Sequence, residues 1–98
     1  MANICDNELH LQTEYSENKE AIKEYFSDWS DSDISYEEDE NIEIYFPSNW
    51  EFPEKEMTEL INSLPHPFDV TGACLSYEWG CYYTEFHVLE NGKWFKQE

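Results

Sequence analysis

Phe86-His87-Val88-Leu89-Glu90-Asn91-Gly92-Lys93-Trp94-Phe95 carries the strongest hairpin signal in this 98-residue chain. An Asn-Gly pair between two apolar runs predicts a type I′ turn, because both central residues of that turn need positive φ. Trp94 and Phe95 therefore return as a short last strand. It pairs with a strand running from Cys81 to Leu89, in which β-branched and aromatic residues dominate. A further run of the same character extends from Phe68 to Trp79, and Gly80 marks the break between them.

Working back from this sheet, Pro53 is suited to the first position of a helix, where its missing N–H has no partner to lose. Met57, Leu60, Ile61 and Leu64 then line one face, and Pro65 ends the helix. Before it, the alternating Ile42, Ile44 and Phe46, together with Ile34 and Tyr36, flank the turn-prone Glu38-Asp39-Glu40-Asn41, which predicts an acidic hairpin. Ser30 to Asp33 reads as a loop. A first helix begins at Ser16 as N-cap, with Ala21, Ile22, Tyr25, Phe26 and Trp29 at helical spacing, and stops near Trp29; Glu17 and Glu20 favour its positive N-terminal end. From Cys5 to Thr13, Cys5, Leu9 and Leu11 alternate with Asp6, Glu8 and His10, the pattern of a half-buried strand. The resulting order, β-α-β-β-α-β-β, predicts one α+β domain over residues 1–98, with no internal repeat or linker. Its architecture is a ferredoxin-like sandwich: an antiparallel sheet, two helices on one face, and an added C-terminal strand.

The charge is the other informative feature. Eight of the sixteen residues from Asp28 to Glu43 are Asp or Glu, and the whole chain has a formal net charge of -18 with five lysines and no arginine. An acidic run is ordinarily a solvated face, but this density resists compaction and points to a basic partner. Lys19, Lys23, Lys55, Lys93 and Lys96 are too few to neutralise a nucleic-acid backbone, and no arginine offers a bidentate phosphate contact. Direct nucleic-acid binding and anionic membrane surfaces are excluded on that ground. No apolar run has the length of a transmembrane helix or signal-peptide core. Three cysteines, Cys5, Cys74 and Cys81, lack a disulfide-framework spacing and are expected as free thiols in a reducing cytoplasm.

Three stretches carry a resemblance. Met1-Ala2-Asn3-Ile4-Cys5-Asp6-Asn7 is similar to the Met-x-Asn-Trp-Cys-x-Asn opening of the ferredoxin-like domain family of phage- and plasmid-associated Api-like proteins, with Ile4 in place of Trp. Ile44-Tyr45-Phe46-Pro47-Ser48-Asn49-Trp50-Glu51-Phe52-Pro53 resembles the family's strand leading into its second helix. Tyr77-Glu78-Trp79-Gly80-Cys81-Tyr82 resembles its acidic-Gly hairpin before an Asn-Gly turn. The resemblance implies the fold and a mobile-element origin, and carries no catalytic residues with it.

The candidate partner-binding residues are Asp28, Asp31, Asp33, Glu37, Glu38, Asp39, Glu40 and Glu43, with Trp50 and Trp79 as exposed aromatic anchors beside turn residues. Alternate residues on a strand lie about 6.6–6.8 Å apart on one face, so Glu37 and Glu43 are expected to join the turn carboxylates in an anionic ridge that imitates a phosphate backbone. The zinc-capable side chains Cys5, Cys74, Cys81, His10, His66 and His87 show no C-x-x-C or H-x-x-x-H pair, so neither metal nor other cofactor is expected. Cys74 and Cys81 are expected to face each other across the Gly80 hairpin. A Cys–His nucleophile sits badly in anionic surroundings that raise the thiol pKa, and Glu78 and Glu85 lack a cleft to work in as a carboxylate pair, so no enzyme activity is expected. The leading expectation is a non-enzymatic acidic inhibitor that blocks the basic nucleic-acid groove of a host defence protein, such as a CRISPR or restriction nuclease. An immunity protein that neutralises a basic toxin and a zinc-stabilised structural domain are the alternatives.

Overall fold

The computed structural model describes residues 4 to 97. Met1, Ala2 and Asn3 of the opening motif, Glu98, and the side chain of Cys81 lie outside the described residues. The described residues are α+β, with six strands and two α-helices: β1 (Ile4–Gln12), α1 (Ser16–Ser27), β2 (Asp33–Glu38), β3 (Asn41–Asn49), α2 (Glu54–Asn62), β4 (Thr71–Glu78), β5 (Tyr83–Glu90) and β6 (Lys93–Gln97). All six strands form one antiparallel sheet in the order β2-β3-β1-β4-β5-β6. The arrangement is compatible with a ferredoxin-like unit. Two strands, β5 and β6, extend it beyond β4, one more than the single added strand of the expected order, although the runs from Cys81 to Leu89 and at Trp94-Phe95 both carry strand signals.

Period-two alternation sets which face is buried. Cys5, Asn7, Leu9 and Leu11 of β1 point to the same side as Ile42, Ile44 and Phe46 of β3, because Leu9 pairs with Ile44 and Leu11 with Ile42. Cys74, opposite Leu9 on β4, and Leu89 of β5 complete the sheet's contribution. Onto this face α1 packs Ile22 and Phe26, and α2 packs Met57, Leu60 and Ile61. Each such side chain, fully buried, stabilises the fold by about 1.5–3 kcal/mol. Both helices are spent on one face, which leaves the other without a cover.

The ends of the elements differ from expectation where local polar groups intervene. Ser16 is the first helical residue of α1 rather than its cap, and Tyr15 holds the cap position without a side-chain bond. Buried Asn18 secures that end instead: its amide donates to Thr13 Oγ1 (3.0 Å) and the His66 carbonyl (2.9 Å) and accepts from the His66 N–H (2.9 Å). Pro53 stands one residue ahead of α2. Phe68 belongs to a short 3-10 turn over Pro67–Asp69, so β4 begins at Thr71. Cys74 faces His87 of β5 and not Cys81, because the β4–β5 register is set by the 3-10 turn Trp79–Cys81 and not by a tight Gly80 hairpin. Asn91 and Gly92 do take positive φ, 51° and 78°. Gly92 is required by its backbone, since φ +78° strains any L side chain; a β-carbon there would also press on the exposed Phe68 ring at 3.1 Å.

A polar knot crosses the three central strands. Asn7 is fully buried; its amide donates to the Phe46 carbonyl (3.0 Å) and Ser48 Oγ (2.9 Å), while its oxygen accepts from Ser76 Oγ (2.6 Å). It ties β1 to β3 on one side and β4 on the other. The Cys5 thiol leans on the same oxygen at 3.9 Å.

Candidate functional site

The acidic run does not form one ridge. Asp28 caps the C-terminus of α1, Asp31 sits in the α1–β2 connection with φ 64°, and Asp33 opens β2 opposite Tyr45. Glu37 pairs across the hairpin with buried Ile42, which turns it toward α1, where its Oε2 meets Lys19 Nζ at 3.2 Å and Lys23 Nζ at 3.1 Å. Those lysines hold the Glu37 carboxyl below its ordinary pKa. Glu43 pairs with Tyr36 and points the other way, so a single ridge joining Glu37 and Glu43 is not formed. Glu38 ends β2 opposite Asn41, Asp39 and Glu40 form the turn, and Lys19 also donates to the Asp39 carbonyl at 2.8 Å.

Trp50 and Trp79 are both exposed, at 54% and 73%, and so match the expectation of solvent-facing aromatics. They stand far from the acidic turn. Ile4, at the start of β1, pairs with Asn49 next to Trp50, while Gln12 at its other end pairs with Asn41 beside the turn. Eight residue steps of strand separate the two ends, about 27 Å. At the Trp50 end, Asp31, Pro47, Asn49 and Glu54 line a cleft of about 630 Å³.

The uncovered face of the sheet is a surface that sequence reasoning did not single out. Its rows follow from the register. One runs Phe95, Val88, Ala73, His10, Glu43, Tyr36 across the sheet; the next runs Phe86, Leu75, Glu8, Tyr45. The β4–β6 half is therefore apolar, with Phe86 43% and Phe95 48% exposed, and the β1–β3 half is acidic. Lys93 and Glu90 stand as a pair at the far corner. Between the halves, Glu8, His10, Glu43, Tyr45, Leu75 and Phe86 line a shallow cavity of about 530 Å³.

Tyrosine hydroxyls hold the carboxylates of this face in place. Tyr45 donates to Asp6 Oδ1 (2.5 Å), Tyr77 to Glu8 Oε2 (2.8 Å), and Tyr36 to Glu38 Oε2. A carboxylate that accepts from a phenol favours the neutral phenol, so hydrogen bonding pushes the Tyr45 and Tyr77 pKa values up to about 12 and raises that of Tyr36. The anions are thereby pre-placed. Trp79 joins the same face, its ring centroid 5.3 Å from that of Tyr77, and the turn that carries it is shaped by Glu78 Oε1 accepting from the Gly80 N–H (2.7 Å). Of the expected partner-binding residues, this face thus gathers Glu38, Glu43 and Trp79 and leaves Asp28, Asp31, Glu37 and Trp50 elsewhere. Strict alternation in β1, β4 and β5, read together with helices on only one side, was the signal that could have revealed it.

The thiols and imidazoles are dispersed. Burial raises the Cys5 pKa and pushes Cys74 up to about 12, which keeps both thiols protonated. His10 bonds Asn41 Oδ1, His66 stacks on Tyr15, and buried His87 stacks on Phe52 at 3.8 Å with its pKa lowered by that burial. Among the described residues no three His, Cys, Asp or Glu side chains converge as metal ligands, and no helix is long and apolar enough to cross a membrane.

No protein-family model matches this chain, and no curated protein or solved structure matches it either.

Proposed function

We propose that this chain is a non-catalytic acidic inhibitor that occupies the basic nucleic-acid groove of a partner protein. The observation that carries the reading is the uncompensated charge: at a net -18, Lys19, Lys23 and Lys96 are already paired with the chain's own Glu37, Glu20 and Glu85. The remaining surface is anionic and repels nucleic acid, while it attracts whatever binds nucleic acid. The strand order β2-β3-β1-β4, with one helix in each crossover, supports reading residues 4–78 as a ferredoxin-like unit extended by two strands. The resemblance of the opening motif to the phage- and plasmid-associated family supports a defence nuclease, of the CRISPR or restriction type, as the partner.

Competition tests this reading. A panel of such nucleases is assayed for DNA binding and cleavage with increasing amounts of the purified protein. The expected result is inhibition that added duplex DNA overcomes, steep in salt, with no affinity of the protein itself for DNA or RNA. Inhibition that DNA does not relieve, or binding of the protein to nucleic acid, would remove the mimicry.

A further inference from the structure

We propose that the open face of the sheet is the docking surface, and that it takes a partner protein surface presenting arginine side chains around an apolar centre. The proposal rests on the reading of a basic partner and goes further in naming the face and its complement.

The apolar centre comes first. Leu75, Phe86, Val88 and Phe95 form a continuous patch by register, on the one face that neither helix covers. Exposed apolar area of this kind beside a polar rim marks an interaction surface. Charge selects what covers it. A second copy of this chain would bring another -18 and the same acidic rows against Asp6, Glu8 and Glu43, a like-charge contact that opposes association. An anionic lipid surface and a nucleic acid are repelled for the same reason. A cationic protein surface is left.

Arginine fits better than lysine. Tyr45 and Tyr77 each take one oxygen of their carboxylate, Oδ1 of Asp6 and Oε2 of Glu8, and so hold in place two acceptors on residues whose backbone positions are about 6.6–6.8 Å apart along β1. A planar guanidinium donates in a fork to a fixed carboxylate and stacks on aromatic rings, whereas an ammonium does neither so well. Tyr77 offers such a ring beside Glu8, with the Trp79 ring next to it at a centroid distance of 5.3 Å.

The test uses short amphipathic helical peptides as probes. One carries leucines flanked by arginines, a second replaces arginine with lysine, a third replaces leucine with serine, and a fourth replaces arginine with glutamate. Amide shifts of the labelled protein are followed by NMR during titration. The arginine–leucine peptide is expected to bind saturably, with shifts confined to Asp6, Glu8, Glu43, Leu75, Tyr77, Phe86 and Val88. The serine peptide and the Phe86→Ser variant are expected to bind about tenfold more weakly, as loss of a central apolar anchor does. The lysine peptide should be weaker than the arginine peptide, and the glutamate peptide should not bind. Shifts centred on Asp39 and Glu40 or on Asp28 to Asp31, equal affinity for the serine peptide, or no binding of the arginine–leucine peptide would overturn the docking face; equal affinity for lysine would overturn the arginine preference. Phe86 is on the surface, and retention of a dispersed amide spectrum shows that its variant is folded. If nuclease competition fails while the peptide still maps to this face, the mimicry falls and the docking surface stands.

Discussion

Asn7→Leu should cost far more than a polar-to-apolar change at a buried position first suggests. Leucine is close in size and would gain apolar burial, which alone stabilises by about 1.5–3 kcal/mol. Against that stand the groups that Asn7 serves: the Ser76 hydroxyl at 2.6 Å, the Phe46 carbonyl at 3.0 Å and the Ser48 hydroxyl at 2.9 Å. Each buried group left without its partner costs about 1–3 kcal/mol. Ser48 is spared part of this because it also donates to the Glu51 carbonyl. The penalties for Ser76 and Phe46, and the part of Ser48's that remains, exceed the apolar gain, and we expect a net loss of about 2–3 kcal/mol. For a domain of this size that lowers Tm by roughly 10–20 °C. Chemical denaturation and calorimetry measure it. The double variant Asn7→Leu/Ser76→Ala removes both ends of the shortest bond and should recover about 1 kcal/mol relative to the sum of the single changes. A loss under about 0.5 kcal/mol for Asn7→Leu, or strict additivity in the cycle, would refute the account of Asn7 as the tie between β3, β1 and β4.

Two further outcomes follow from the charged surface. Spectrophotometric titration should find tyrosines ionising near 12 for Tyr45 and Tyr77; the folded pKa lies above the ordinary phenol value, so their contribution to stability is complete below about pH 10 and is lost as pH rises toward 12. Asp6→Asn should bring the Tyr45 transition down, and an unchanged transition would mean that the hydrogen bond is absent in solution. Glu37→Gln should lower Tm, by an amount that shrinks in high salt, while Glu40→Gln leaves it unchanged or higher, because only Glu37 is seated between Lys19 and Lys23. The same pairing makes the Glu37 contribution present at neutral pH and lost as pH falls through its depressed pKa, and equal melting of the two variants would refute it.

The elements were legible because each rests on a local signal. Asn91-Gly92 fixed a turn by its need for two positive φ values, and the 3.6-residue spacing of Ile22 and Phe26 or Met57, Leu60 and Ile61 gave the helices their buried faces. What escaped the sequence is what depends on neighbours in space. Glu37 and Glu43 are six residues apart in one acidic run, yet the register of β2 and β3, with its irregularity between Ile34 and Tyr36, sends one to the helices and the other to the open face. Alternation did place Asn7 on the core side with Cys5 and Leu9, so the Cys-x-Asn of the opening could have been read as a buried pair. Its partners Ser48 and Ser76 lie 41 and 69 residues away and carry no mark of it.

The division of acidic groups between the turn and the open face has a physical consequence for how a partner would be met. Charges in solvent act over about 8 Å at physiological ionic strength. The turn carboxylates Asp39 and Glu40 lie about 27 Å along β1 from the end that carries Trp79, so they do not touch a group seated around Trp79. At that distance they act during approach, as part of the net field that raises the encounter rate. Asp6 and Glu8 are different in kind. Held by Tyr45 and Tyr77 next to Leu75 and Phe86, they would be desolvated together with an apolar contact, and interactions of that sort govern how long a complex lasts rather than how fast it forms. Tyr45 and Tyr77, half-buried on the uncovered face, hold both carboxylates in place before any contact is made. In the docking proposed above, that fixing would lower the entropy lost when a cationic group binds beside them.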